Sequence, residues 1–167
     1  MKNSRLDTTV EFENVCQGGI LIMTQGLPRS GKSTWARSQG WPIVSPDAIR
    51  LAKTGQRWWG PMEHEVWAAA RTMVRALFWA GHQIVVLDST SYNRLQRDRF
   101  CPSRDIQWRR FVKIIDTPVL ECCRRAKETY PALVEIIEQM AKNWEPVEPD
   151  EGIKLWQGII NKKDLTS

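Results

Sequence analysis

The chain has 167 residues, 42% hydrophobic and 26% charged, with a net charge of +5 and a pI near 9.2. That length fits one domain that buries its core without disulfides or a structural metal, and the composition is that of a soluble globular protein. No apolar run approaches the roughly 20 residues of a membrane helix, and the charged N-terminus lacks the apolar stretch of a secretory signal, so a cytoplasmic location is expected.

The four cysteines, Cys16, Cys101, Cys122 and Cys123, are not spaced as a metal site and read as reduced thiols. The basic balance makes polyanions candidate partners, and the charge is polarised along the chain. Between Arg94 and Lys113 stand six arginines and one lysine against two aspartates, whereas Glu145 to Glu151 is acidic.

In chain order, residues 1–17 read as an arm with a short strand at "TVEF", and 18–167 as a single domain. "GILIMTQ" (19–25) reads as a buried strand and "KSTWARSQ" as a helix stopped near Gly40. "PIVS" is a second short strand, and "DAIRLAK" a helix with Asp47 at its positive end. From about Met62 to Ala80, Met62, Val66, Ala70, Met73 and Leu77 recur at helical steps, joined by Trp67, Val74 and Phe78, with Gly81 as the stop. "QIVVLD" is a third strand, "NRLQRDRFCPSR" an arginine-rich helix, "WRRFVKIID" a fourth strand, and "PVLECCRRAKE" and "PALVEIIEQMAKNW" two further helices. Strands alternating with helices predict an α/β fold, a parallel sheet of four or five strands flanked by helices. In such a sheet, binding belongs at the C-terminal strand ends.

Gly26-Leu27-Pro28-Arg29-Ser30-Gly31-Lys32-Ser33 fits G-x-x-x-x-G-K-[ST] between a buried strand and a helix. The glycines allow backbone angles and a close approach that side chains forbid, so that N–H groups converge on phosphate oxygens. Gly26, Pro28, Ser30, Gly31, Lys32, Ser33 and Thr34 are therefore the expected nucleotide contacts. Lys32 would meet the β/γ phosphates of ATP, and the Ser33 hydroxyl would ligate Mg²⁺.

The third strand ends "IVVLDST", so Ser89 follows Asp88 where a mechanical ATPase would carry a water-orienting glutamate. A P-loop kinase instead needs a carboxylate that accepts the proton of an attacking hydroxyl and aligns it. Asp47 stands after the second strand and suits this role; a plain helix N-cap is the alternative. Arg50, at i+3, could pair with that base or grip an acceptor phosphate.

"GLPRSGKSTWAR", "SPDAIR", "VVLDSTSYN", "LECCRRAKE" and the closing "WEPVEPDEG" resemble, in order from Ile20 to about Gly152, the successive motifs of the 5′-hydroxyl polynucleotide kinase family. The resemblance implies a P-loop NTPase fold with a helical lid, ATP and Mg²⁺ at Lys32 and Ser33, and Asp47 as general base. It also implies that Arg50 orients the acceptor phosphate, and that Asp88 and Thr90 close the acceptor side, Asp88 holding Arg50. Arg124 and Arg125 fall where the family places lid arginines over the β/γ phosphates. A second lid arginine, a turn later, would fall on Glu128 or Thr129, where Lys127 could substitute, and Pro46 stands where the family often has arginine.

For the acceptor, nine tryptophans exceed ordinary usage. Trp67, Trp79 and Trp108 follow helical or strand patterns and are expected in the core. Trp58 and Trp59, beside Arg57 in a loop, either stack bases of a single strand or plug the space under the long helix. The helix with Arg94, Arg97, Arg99 and Arg104 is either a solvated exterior or a contact to nucleic-acid backbone. His64 and His82 receive no catalytic role. The expected acceptor is the 5′-hydroxyl of DNA or RNA. The alternatives are a hydroxymethyl group on a modified base in DNA, as in phage-type kinases, a nucleoside or other small molecule, and a nucleotide-dependent protein that is not a kinase.

Overall fold

Gly19–Gln25 forms β1, and every residue from Ile20 onward is buried, as a central parallel strand requires. In the computed structural model, which describes residues 19–56, 60–102 and 107–158, β1 lies between β3 (Ile84–Leu87) and β4 (Trp108–Ile114). β2 (Ile43–Val44) flanks β3, and β5 (Ile153–Leu155) flanks β4, giving a five-stranded sheet of order β2-β3-β1-β4-β5. All four strand pairings are parallel. β5 had no counterpart in the sequence-based reading; it has only three residues, Ile153 half-buried and the other two exposed, too few to establish an alternating pattern. The arm, its expected strand, Arg57, Trp58, Trp59 and Arg104 lie outside the described residues.

Helix α1 (Lys32–Ser38) follows β1, and α2 (Pro46–Thr54) follows β2. Ser45, not Asp47, caps α2: its side chain accepts the Ala48 amide at 3.3 Å, Pro46 starts the helix, and Gly55 ends it at φ 70°. Asp47 is thus left in the first turn with its carboxylate free of capping duty.

In α3 (Glu63–Trp79) the buried stripe is Val66, Ala70, Val74 and Phe78, packed against Leu21, Met23, Val85 and Leu87 of the sheet. An i+4 row turns gradually round a helix, which leaves Met73 at the margin and Trp79 on the far side. Both are exposed, Trp79 by 59%, which corrects their expected core placement. Trp108 is buried and stacks on Phe78, ring centroids 5.6 Å apart, and Trp67 is half-buried. Helices α5 (Val119–Thr129) and α6 (Leu133–Lys142) pair through Cys122, Cys123, Ala126 and Ile137 and close over Leu27.

The arginine-rich segment forms only a short helix, α4 (Arg94–Asp98). Arg97 is neither solvated nor turned toward a partner: its side chain and that of Glu151 are both 0% exposed, 2.7 Å apart. All five of its N–H donors are used, two on the Glu151 carboxylate and the others on the carbonyls of Ser91, Glu145 and Pro146. Arg94 bonds Asp150 at 2.9 Å and Asp98 at 3.4 Å, its amide donates to the Glu145 carboxylate, and Arg110 donates to the Glu151 carbonyl. Much of the polarised charge of the chain is therefore consumed internally, through Arg94, Arg97 and Arg110, binding the 145–151 segment to α4.

Breaking one side of a buried ion pair leaves an uncompensated charge and costs about 3–5 kcal/mol. Glu151→Ala is expected to lose that much in urea unfolding, and the double substitution Arg97→Met with Glu151→Leu to lose less. A loss below about 1 kcal/mol in the single variant contradicts this role for the pair.

Candidate active site

The loop after β1 is shaped by where its carbonyls go. Lys32 Nζ donates to the Leu27 carbonyl at 2.7 Å, and the Ser30 amide bonds the same oxygen at 3.1 Å. Arg125 Nη1 donates to the Arg29 carbonyl at 3.1 Å, and Thr117 Oγ1 to the Ser30 carbonyl at 2.8 Å. With these oxygens tied, the amides of the loop and of the first turn of α1, which lack intrahelical acceptors, remain to line the concave side. No side chain caps α1; its N-cap is Gly31 at φ 103°. Arg29, a non-glycine residue at φ 67°, is a local strain of the kind concentrated at ligand sites.

Gly26 is needed for close approach. A Cβ there would stand 2.7 Å from Ser30 Oγ and 2.9 Å from the Ile115 carbonyl. Ser30 Oγ is itself buried without a hydrogen-bond partner among the described residues. A glycine cradle, an orphaned hydroxyl and converging amides fit a phosphate group.

Lys32 is buried, and burial holds its ammonium below the ordinary lysine value, partly offset by Asp88, Asp47 and Cys122. Both carboxylates thus favour the charged form of the loop lysine. Ser33 is half-buried and Thr34 exposed on α1. Among the described residues no group of three or more His, Cys, Asp or Glu side chains converges as a metal site. A divalent cation at Ser33 would therefore take most of its oxygen ligands from phosphate and water.

The end of β3 is fixed to β1 by Thr24, whose Oγ1 donates to the Ser89 carbonyl at 2.8 Å and accepts the Ser89 amide at 3.1 Å. The Thr90 carbonyl accepts the Gly26 amide at 3.1 Å, which joins this strand end to the loop, and the Thr90 hydroxyl donates to Gln96 at 3.2 Å.

Asp47 is 80% exposed and bonds Arg50 Nη1 at 2.6 Å. Arg50 itself is buried and gripped bidentately by Glu63, Nε to Oε1 at 2.5 Å and Nη2 to Oε2 at 3.0 Å. Burial would lower the Arg50 pKa, but the hydrogen bonds that Arg50 donates to Glu63 and Asp47, with their charges, outweigh it and raise it. Trp67 Nε1 donates to the same Glu63 carboxylate at 3.2 Å. Glu63 is a site residue that sequence reasoning did not include. It meets Arg50 only because α3 packs on α2, and no local pattern signals that contact.

On α5 the two expected lid arginines separate. Arg125 bonds Glu121 and reaches the loop at the Arg29 carbonyl. Arg124 is exposed and paired with Glu121 and Glu128. Hydrogen bonds from Arg124 and Arg125 hold the Glu121 carboxyl down at about 2. Beside the loop, a cleft of about 200 Å³ is walled by Leu27, Ile115, Pro118, Val119, Ala141 and Trp144. Its apolar walls suit a flat ring.

Loop, sheet and lid together define a P-loop domain of the kinase type. The chain belongs to the AAA_33 family, an AAA domain, which it matches over residues 21–142. Among solved structures, a chain of a Pnkp1/Rnl/Hen1 complex is 27% identical with a TM-score of 0.55, over 68% of this chain and 40% of that one. A chain of the Pnkp1/Rnl/Hen1 RNA repair complex is 21% identical, TM-score 0.55, over 77% and 47%. The chain thus spans less than half the length of these proteins. The APS kinase CysC of Mycobacterium tuberculosis, in complex with AMPPNP and APS, shares the fold at 19% identity and a TM-score of 0.58, covering 88% of this chain and 94% of that one. No curated protein sequence matches the chain. No helix among the described residues is long and apolar enough to cross a membrane.

Forcing a side chain into a packed site costs about 1–3 kcal/mol, which in affinity corresponds to roughly five- to 150-fold. Gly26→Ala is expected to weaken ATP binding by that factor in calorimetric titration while circular dichroism stays native. Undiminished affinity would show that the loop does not hold the phosphates.

Proposed function

We propose that this domain transfers the γ-phosphoryl group of ATP to the 5′-hydroxyl of a polynucleotide. The observation that carries the reading is the Asp47–Arg50–Glu63 constellation, whose exposed carboxylate, Asp47, also interacts electrostatically with Lys32. A hydrolytic nucleotide switch has no use for a carboxylate and an arginine held there, and an acceptor hydroxyl with a neighbouring phosphate needs both. Similarity to chains of the Pnkp1/Rnl/Hen1 complexes supports a polynucleotide acceptor.

Gly26, Pro28, Ser30, Gly31 and Thr34 frame the phosphate seat, where loop amides and Ser30 Oγ donate to phosphate oxygens. Lys32 exchanges the Leu27 carbonyl for the β/γ phosphates. Ser33 would hold Mg²⁺, which when bound neutralises charge on the phosphate oxygens. Arg125 turns from the Arg29 carbonyl to the same phosphates, with Arg124 beside it as a reserve cation. The adenine enters the cleft between Leu27 and Trp144. On the acceptor side, Asp47 takes the proton as the hydroxyl oxygen bonds to phosphorus, and ADP leaves. Arg50 grips the phosphate that follows the attacked nucleotide, while Asp88 and Thr90 border the acceptor and Trp58 and Trp59 offer base contacts.

A positioned general base contributes about 10²- to 10⁴-fold. Asp47→Asn is expected to lower kcat by that factor with ATP affinity unchanged, measured with labelled ATP and parallel acceptors: a 5′-hydroxyl oligonucleotide, hydroxymethyl-base DNA and a nucleoside mixture. Label confined to the second or third acceptor would overturn the 5′-hydroxyl assignment, and an unaffected rate would remove Asp47 as base.

A further inference from the structure

On the sheet's α3–α4 flank three arginines are neutralised by carboxylates: Arg94 by Asp98 and Asp150, Arg97 by Glu151, and Arg110 by Asp98. Arg71 and Arg99 depart from this pattern. Among the described residues neither has a carboxylate partner. Arg71 lies over the Trp108 ring, 5.7 Å from its centroid, and donates to the Arg99 carbonyl. Arg99 lies over the Trp67 ring at 4.9 Å, and further along α3 Arg75 lies over Trp79 at 5.2 Å.

These groups form one surface. Glu63, Trp67, Arg71, Arg75 and Trp79 follow at i+4 along α3, beside the buried stripe, and Arg99 joins them from the end of α4. The row starts at the candidate site, since Glu63 grips Arg50 and Trp67 bonds Glu63. At 1.5 Å per residue, Arg71 lies about 12 Å and Arg75 about 18 Å along the helix from Glu63. Stacking on rings holds cations in place without cancelling their charge, so Arg71 and Arg99 keep positive charge on this surface where α4 has spent its own. Exposed Trp79 adds a ring at the far end.

Cations at intervals, interleaved with aromatic rings and leading to an active site, match the chemistry of a single-stranded polyanion with π-faced bases. We propose that Arg71 and Arg99, seated on Trp108 and Trp67, form with exposed Trp79 a track along α3 that binds the single strand whose 5′ end lies at Asp47. This rests on the polynucleotide-acceptor reading and extends it. It also moves the strand contact from Arg94 and Arg97 to the other side of α4.

The track implies an acceptor that gains affinity with length. In steady-state kinetics with 5′-hydroxyl oligonucleotides from two to twelve nucleotides, KM of the unaltered protein should fall with length. In the double variant Arg71→Gln, Arg99→Gln, KM for the dinucleotide and kcat should stay unchanged, while KM for the 12-mer rises roughly tenfold. Fluorescence anisotropy with a labelled 12-mer should show the salt slope falling by about 0.7 for each lost phosphate contact. The single variant Arg99→Gln, at an exposed position, should shift both readouts in the same direction should the double variant fold poorly. Identical length dependence and salt slope in the unaltered protein and both variants would overturn the track. Equal competition by polyglutamate would overturn the single strand as its occupant. Strand binding that depends on Arg71 and Arg99, without phosphoryl transfer to any oligonucleotide, would uphold the track and sink the kinase reading.

Discussion

The site depends on one constraint: a loop that receives phosphate must turn its carbonyl oxygens elsewhere. Here three of them have named recipients. Lys32 and the Ser30 amide take the Leu27 oxygen, Arg125 takes that of Arg29, and Thr117 takes that of Ser30. Two of those recipients are the cations expected to move onto the phosphates, so the groups that shape the loop are also those that would bind in it. The loop is therefore formed before its ligand arrives, which limits the ordering cost of binding.

Around that loop the fold supplies fixed partners. Thr24 pins the Asp88–Thr90 strand end to β1, and Thr90 in turn bonds Gly26. Ser45 takes over the capping of α2, leaving Asp47 exposed beside Arg50. The buried Arg97–Glu151 pair anchors the 145–151 segment behind the site, and Gln25 at the end of β1 also bonds the Glu145 carbonyl. A charge asymmetry that suggested an external polyanion is in large part an internal clamp, and cations on tryptophans remain on the outer side.

What the sequence made legible was local. The β1 run, the glycine-bounded loop and the long α3 period each encode a conformation within a few residues, and all three were read. Asp47 and Lys32 were legible because each follows a strand, β2 and β1, that runs parallel to β3 between them. Glu63 was not: its meeting with Arg50 arises from helix packing across a stretch with no shared period. Arg97 read as surface because an arginine beside other arginines ordinarily is, and only its distant partner Glu151 makes it a core residue. The i+4 drift of α3 put Trp79 outside, and β5 is too short and exposed to leave a pattern.

The central claim is a preformed phosphate seat whose lysine waits on a backbone carbonyl. A crystal structure with a non-hydrolysable ATP analogue and Mg²⁺ tests it most directly. The expected result is phosphate in the loop with backbone shifts of residues 26–33 below about 1 Å, Lys32 Nζ moved from the Leu27 oxygen to phosphate, and Asp47 still bonded to Arg50. An analogue bound away from the loop, or a loop that must refold to receive it, would contradict the account.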